Sequence, residues 1–121
     1  MKKKFEFKEA LSRKITHQDV QQHLSSQGCP LEIFISNDKL TFGLTKIPPK
    51  KRLGRMAAHS GDEIYYILSG ECIVENPRHN TETLLKKGDI YYIPGGQIHA
   101  PRNDSENETV EILWFCTPSW P

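Results

Sequence analysis

The sequence predicts an all-β sandwich or barrel preceded by a short arm that contains a helix. Apolar, strand-like runs recur from Leu31 to Cys116, and turn residues separate them about every eight to twelve positions. No strand run alternates with a helix-length amphipathic segment, so βαβ units are not expected. The segments between runs are rich in Gly, Pro, Asn and Asp, whose backbone preferences close turns. The expected division is an arm over residues 1–30 and one β domain over 31–121.

In the arm, Thr16-His17-Gln18-Asp19 reads as a variant capping box, with Ile15 and Val20 placed as a hydrophobic staple. That pattern predicts a short helix from about His17 to Ser25, ending before Gly28. His17 and His23 belong to this polar segment, which offers no ligand set around them. Leu31–Ser36 and Leu40–Ile47 come next as strands, joined by the hairpin composition Asn37-Asp38-Lys39. Pro48-Pro49 stops ladder pairing and leads into an exposed Lys50–Gly54 turn or edge. Glu63–Leu68 and Glu71–Glu75 are strands joined through Ser69-Gly70. Asn76–Asn80 is a loop that leaves His79 in solvent, and strands at Leu84-Leu85, Asp89–Ile93, Ile98–Arg102 and Thr109–Cys116 complete the series.

Composition narrows the function classes. At 121 residues the chain supports a single core. Sixteen basic against fifteen acidic residues leave a formal charge of +1, so no strong field draws it to nucleic acid or a membrane surface. Lys2-Lys3-Lys4 is a solvated run too short for a nucleic-acid patch. No apolar stretch nears the roughly 18 residues that span a bilayer, and Phe5-Glu6-Phe7-Lys8 interrupts any signal-peptide core. Cys29, Cys72 and Cys116 are odd in number and scattered, which points to reduced thiols and a cytoplasmic protein.

Two motifs carry the chemistry. Gly88, Pro94, Gly96, His99 and Asn103 form one, in which a Pro-Gly-Gly turn delivers His99 at a fixed place. His59, Glu63 and Gly70 form the other. In this spacing the chain resembles the cupin family over roughly residues 40–117, with the second motif complete. The first motif departs at Ala57, where the family pattern places another histidine. The resemblance implies a double-stranded β-helix, or jelly-roll, of two facing antiparallel sheets. It also implies that His59, Glu63 and His99 converge inside the barrel mouth and bind one divalent transition metal (Fe, Mn, Ni, Zn or Cu). His99 is expected to face solvent within that cavity, with little packing to lose.

Strand parity adds candidates. Arg55, Ala57 and His59 share a face if their segment is extended, so Arg55 is a candidate substrate-binding residue for a carboxylate or phosphate; an exposed arginine beside Gly54 is the other reading. Tyr65 has the parity of Glu63 and Tyr66 the opposite one. Tyr65 is thus a candidate catalytic acid or hydrogen-bond donor, against plain packing in the core. One residue of slip would turn Asp62 away from the site. Trp114 and Trp120 read as packing residues, and the tail Thr117–Pro121 as a barrel end or subunit contact.

The function expected from the resemblance is a metal-dependent enzyme acting on a small polar, anionic substrate: an isomerase, lyase, decarboxylase or dioxygenase. The alternative, favoured by Ala57, is a non-catalytic and metal-free cupin that binds a sugar or organic acid. Unpaired sheet edges and aromatic termini lead to the expectation of a homodimer.

Overall fold

The computed structural model describes residues 12–54 and 60–117. Nine strands account for the regular structure of these residues, and none of it is helical. They are β1 (Gln21–Leu24), β2 (Pro30–Ser36), β3 (Thr41–Ile47), β4 (Asp62–Ser69), β5 (Glu71–Asn76), β6 (Thr81–Lys86), β7 (Ile90–Ile93), β8 (Ala100–Arg102) and β9 (Val110–Thr117). All pairings between them are antiparallel. One sheet has six strands in the order β1-β2-β3-β9-β4-β7, and the other has three in the order β6-β5-β8. This is the two-sheet, all-β architecture that the turn spacing predicts.

Each strand follows from alternation. β3, β4 and β9 bury every second residue, so Ile47, Tyr65, Ile67, Ile112 and Trp114 meet in one core between the sheets. From the smaller sheet Cys72, Val74 and Leu85 close it from the other side. The core indole of Trp114 needs room at its ladder partner Gly43, where an added Cβ would stand 2.8 Å from the ring. All three cysteines are buried free thiols. Burial pushes Cys72 up to about 12, and burial followed by the charge of Glu63 pushes Cys116 up to about 11. Both are therefore protonated and unreactive near neutral pH.

The helix expected over His17–Ser25 is not what these residues form. Thr16 does engage Asp19, its backbone N–H donating to Oδ2 at 3.0 Å and its hydroxyl at 3.1 Å. That contact closes a single turn, with Asp19 N–H donating to Thr16 O at 2.9 Å. Gln21–Leu24 then pairs with Pro30–Ile33 and becomes the edge of the larger sheet. A ladder against an existing strand outweighs a helix with no apolar face to bury. The sheet thereby begins within the segment expected to be the arm. No helix among the described residues is long and apolar enough to cross a membrane.

Candidate functional site

Two elements bring the site together. β4 opens with Asp62-Glu63, and β7 leads through the Pro94–Gln97 turn to His99 just before β8. The turn lies against the start of β4. Gly95 N–H donates to Asp62 Oδ1 at 2.9 Å, and any Cβ on Gly95 would overlap the carbonyl oxygen of Ser60. Gly96 has a φ of 84°, in the left-handed region that glycine adopts without strain. Asp62 thereby fastens the turn to the start of β4.

Inside, Glu63 and His99 meet. His99 Nε2 lies 2.8 Å from Glu63 Oε1, with 7% and 6% of the two residues exposed. The other ring nitrogen, Nδ1, lies 3.0 Å from the carbonyl oxygen of Gln97. A carbonyl and a carboxylate are both acceptors, so each ring nitrogen is placed to present a positive or donating partner. Nδ1–H to Gln97 fixes the ring, and on the Nε2 side either a proton or a metal ion lies against the carboxylate. Burial alone would lower the pKa of His99. The hydrogen bonds to Glu63 and Gln97 and the charge of Glu63 outweigh it, leaving the value above the ordinary 6.5. Imidazole nitrogen beside carboxylate oxygen suits the divalent transition ions, so these donors fit the implied metal. Among the described residues, no group of three or more potential metal ligands occurs. The third expected ligand, His59, lies outside the described residues together with Arg55 and Ala57.

His99 is thus buried and bonded on both sides, where a solvent-facing ring with little packing was expected. Glu63 and Tyr65, distant in sequence, close around the ring. The Tyr65 ring stands edge-on to the imidazole, with centroids 6.1 Å apart and planes at 69°, and it closes that flank. Parity holds: Tyr65 points into the core and Tyr66 out. Burial, then the charge of Glu63, holds the Tyr65 phenol well above its ordinary value, so it stays protonated. His17, His23 and His79 are exposed, apart from this centre.

Asn103, the last residue of the second motif, supports the fold. It is 1% exposed; its Nδ2 donates to Ile47 O at 2.8 Å and Glu108 O at 2.7 Å, and Oδ1 accepts from Ser105 N–H at 2.9 Å. A second polar cluster had no motif to announce it. Arg52 grips Glu75 with two hydrogen bonds of 2.6 and 3.0 Å, while Arg102 pairs with Glu75, Glu82 and Asp104. Arg52, Glu75, Glu82 and Arg102 line a groove of about 570 Å³ beside the smaller sheet. The guanidiniums are matched by carboxylates there, and they bind the 50–54 segment to β5 and β8. Only their distance in sequence hid them.

The family described as Cupin domain matches residues 43–116, most of the chain. This chain belongs to the cupin family. Among solved structures, an RmlC-like cupin from Shewanella frigidimarina superposes with a TM-score of 0.73 at 15% identity, covering 89% of this chain and 93% of that one. A conserved protein with a double-stranded β-helix domain from Klebsiella pneumoniae gives 0.68 at 20% identity, with coverage of 90% and 92%. KdgF from Halomonas sp. gives 0.70 at 18% identity, with coverage of 88% and 94%. At such identities the likeness establishes the jelly-roll fold of this cupin. No curated protein matches the sequence.

Proposed function

We propose that this cupin is a metal-dependent enzyme acting on a small, polar, anionic molecule within the barrel. The reaction class is isomerase, lyase, decarboxylase or dioxygenase. The observation that carries the reading is the buried Glu63–His99 pair, whose Oε1 and Nε2 lie 2.8 Å apart. A carboxylate and an imidazole are costly to bury unless a cation or proton joins them. Glu63 and His99 would hold the metal with His59 as third ligand. When bound, a divalent ion supplies Lewis acidity toward a carbonyl or hydroxyl oxygen. The chain's own residues do the rest. The Gln97 carbonyl holds the His99 ring in orientation. Tyr65, kept protonated by burial, is a candidate proton donor beside His99. Arg55 is assigned to the substrate's carboxylate, and Ala57 leaves a coordination position open for it. The buried cysteines suit a reducing, cytoplasmic setting, and a homodimer is the expected form.

A second reading, a metal-free cupin that binds a sugar or organic acid, draws on the same pair. Glu63 and His99 already satisfy each other directly, and Ala57 withholds an imidazole. Metal analysis after reconstitution with iron(II), manganese, nickel, zinc and copper separates the two. The enzyme reading expects about one ion per chain, reduced to background by His99→Ala and by Glu63→Gln, with melting curves reporting whether each variant folds. Ala57→His should tighten metal binding. A folded wild type that stays metal-free with every ion sinks the enzyme reading and leaves the metal-free one.

A further inference from the structure

β5 carries a polar residue on its inner face. Cys72, Val74 and Asn76 are the residues that this strand buries, and Asn76, at its end, is 7% exposed. A buried amide needs partners for its donor and its acceptor alike. Asn76 Oδ1 accepts from the His79 N–H at 3.4 Å, and Nδ2 donates to Gln97 Oε1 at 3.2 Å. The His79 N–H can only donate, which fixes the orientation of the Asn76 amide and, in turn, that of Gln97. Gln97 is the residue whose backbone carbonyl accepts from His99 Nδ1 at 3.0 Å. Its own N–H donates to Pro94 O at 3.3 Å. β5 and β8 pair as Glu75↔Ala100, and one residue further along that register Asn76 stands across from His99.

We propose that Asn76 is a positioning residue for His99, acting through Gln97. The turn that delivers the imidazole is held from both sheets. From the larger sheet Asp62, in β4, accepts from the Gly95 N–H at 2.9 Å; from the smaller sheet Asn76, in β5, holds the Gln97 side chain. One bond fixes one end of the turn, and a second is needed to fix its rotation about the first. Asn76 supplies the second at the residue that carries the orienting carbonyl. With that carbonyl in place, Nδ1–H has one direction to donate in, and Nε2 is aimed at Glu63 Oε1, 2.8 Å away. Alternation calls for an apolar residue at position 76, as at 72 and 74. An amide there gives up apolar burial, and such departures from pattern are expected where a site is held in shape. The Asn76 oxygen serves the local Pro77–Asn80 turn, a common use of asparagine. Its nitrogen is not needed there, and it reaches 21 residues along the chain to Gln97.

The hold on the ring stands without a metal; its consequence for metal binding rests on the reading of this cupin as a metal-dependent enzyme. The test follows the Nδ1–H proton of His99 in the full chain by nitrogen–proton NMR. Asn76→Ala, Gln97→Met and the double variant are compared with the wild type, and the backbone amides of β4 report any general loosening. In the wild type the proton should give its own resonance, slowed in exchange with water by its bond to Gln97 O. Each single variant should speed that exchange roughly five- to tenfold, the factor that corresponds to one hydrogen bond. The double variant should do no more than either alone, because both remove the same bond. Each variant keeps the Gln97 backbone carbonyl, so lost protection reports its position and not its removal. Zinc affinity should fall roughly tenfold in each single variant, the low end of the range for groups behind a metal ligand. A variant with a lowered urea midpoint and a His99 proton as protected as in the wild type makes Asn76 structural only and overturns the proposal. A wild type whose Nδ1–H exchanges freely overturns it too. A chain that stays metal-free yet shows the expected exchange sinks the enzyme reading and keeps this one; zinc binding with a His99 proton indifferent to both variants does the reverse. Should Asn76→Ala fail to fold, Gln97→Met, at a half-buried position, removes the same bond and decides.

Discussion

At His99 a single atom, Nε2, decides between proton and metal. Glu63 Oε1 faces it at 2.8 Å and Gln97 O faces the other nitrogen, so the ring is poised to carry positive charge. Burial resists that charge, but the two hydrogen bonds and the carboxylate prevail and the pKa stands above 6.5. A raised value means that the folded protein holds the proton more tightly than the unfolded chain does. Stability from this proton is therefore present at lower pH and lost as pH rises through the His99 pKa. Under the proposed function metal binding would run the opposite way, because an ion would have to displace the proton. Affinity should fall about tenfold for each pH unit below the His99 pKa and level off above it. Calorimetric titration with zinc across the range should place the bend above 6.5. Flat affinity through that range would show that Nε2 is not the ligand.

The Pro94–Gln97 turn owes its position to what it touches more than to its own sequence. Gly95 lies against Ser60 and donates to Asp62 Oδ1 at 2.9 Å, which fastens the turn to the start of β4. Gly95→Ala should cost roughly 1–3 kcal/mol, the range for a side chain forced into filled space, and should weaken metal binding by displacing His99. A variant that melts with the wild type and binds metal equally would show the approach to be soft. The turn itself, the hairpin at Asn37–Lys39 and the alternation of β4 were legible because they are local patterns. The inward parity of Tyr65 was legible in the same way, while the meeting of Glu63 with His99, 36 positions apart, was expected only through the resemblance to the cupin family. The burial of His99 was not legible, since it comes from residues distant in sequence, Glu63 and Tyr65, closing around the ring. Nor was β1: the Thr16–Asp19 cap is real, yet it makes one turn, and only the ladder with β2 draws Gln21–Leu24 into a strand. The Arg52–Glu75–Arg102 cluster joins positions 23 and 27 residues apart, beyond any local pattern.

Across the whole molecule, the two sheets are held at one end by Asn103. Its amide reaches the last residue of β3 through Ile47 O, the loop before β9 through Glu108 O, and Ser105 through its own oxygen. Its backbone N–H donates to Lys51 O at 2.8 Å, so the segment after Pro48-Pro49 is fastened there too. Two carbonyls and one N–H thus share a single buried side chain, and removing it strips a donor from the buried Ile47 carbonyl and partners from the half-buried Glu108 O and Ser105 N–H. Asn103→Ala should destabilise the protein by roughly 2–4 kcal/mol, read as a lower urea midpoint with an unchanged slope. Asn103→Asp distinguishes this account from a simple loss of volume. The aspartate keeps nearly the same shape and an oxygen for Ser105 N–H, but it aims a second acceptor at Ile47 O and Glu108 O, where the amide donated. It should therefore be at least as destabilising as alanine near neutral pH and should recover as the carboxyl is protonated in mild acid. An aspartate variant as stable as the wild type at neutral pH would mean that the Asn103 amide does not donate to those two carbonyls.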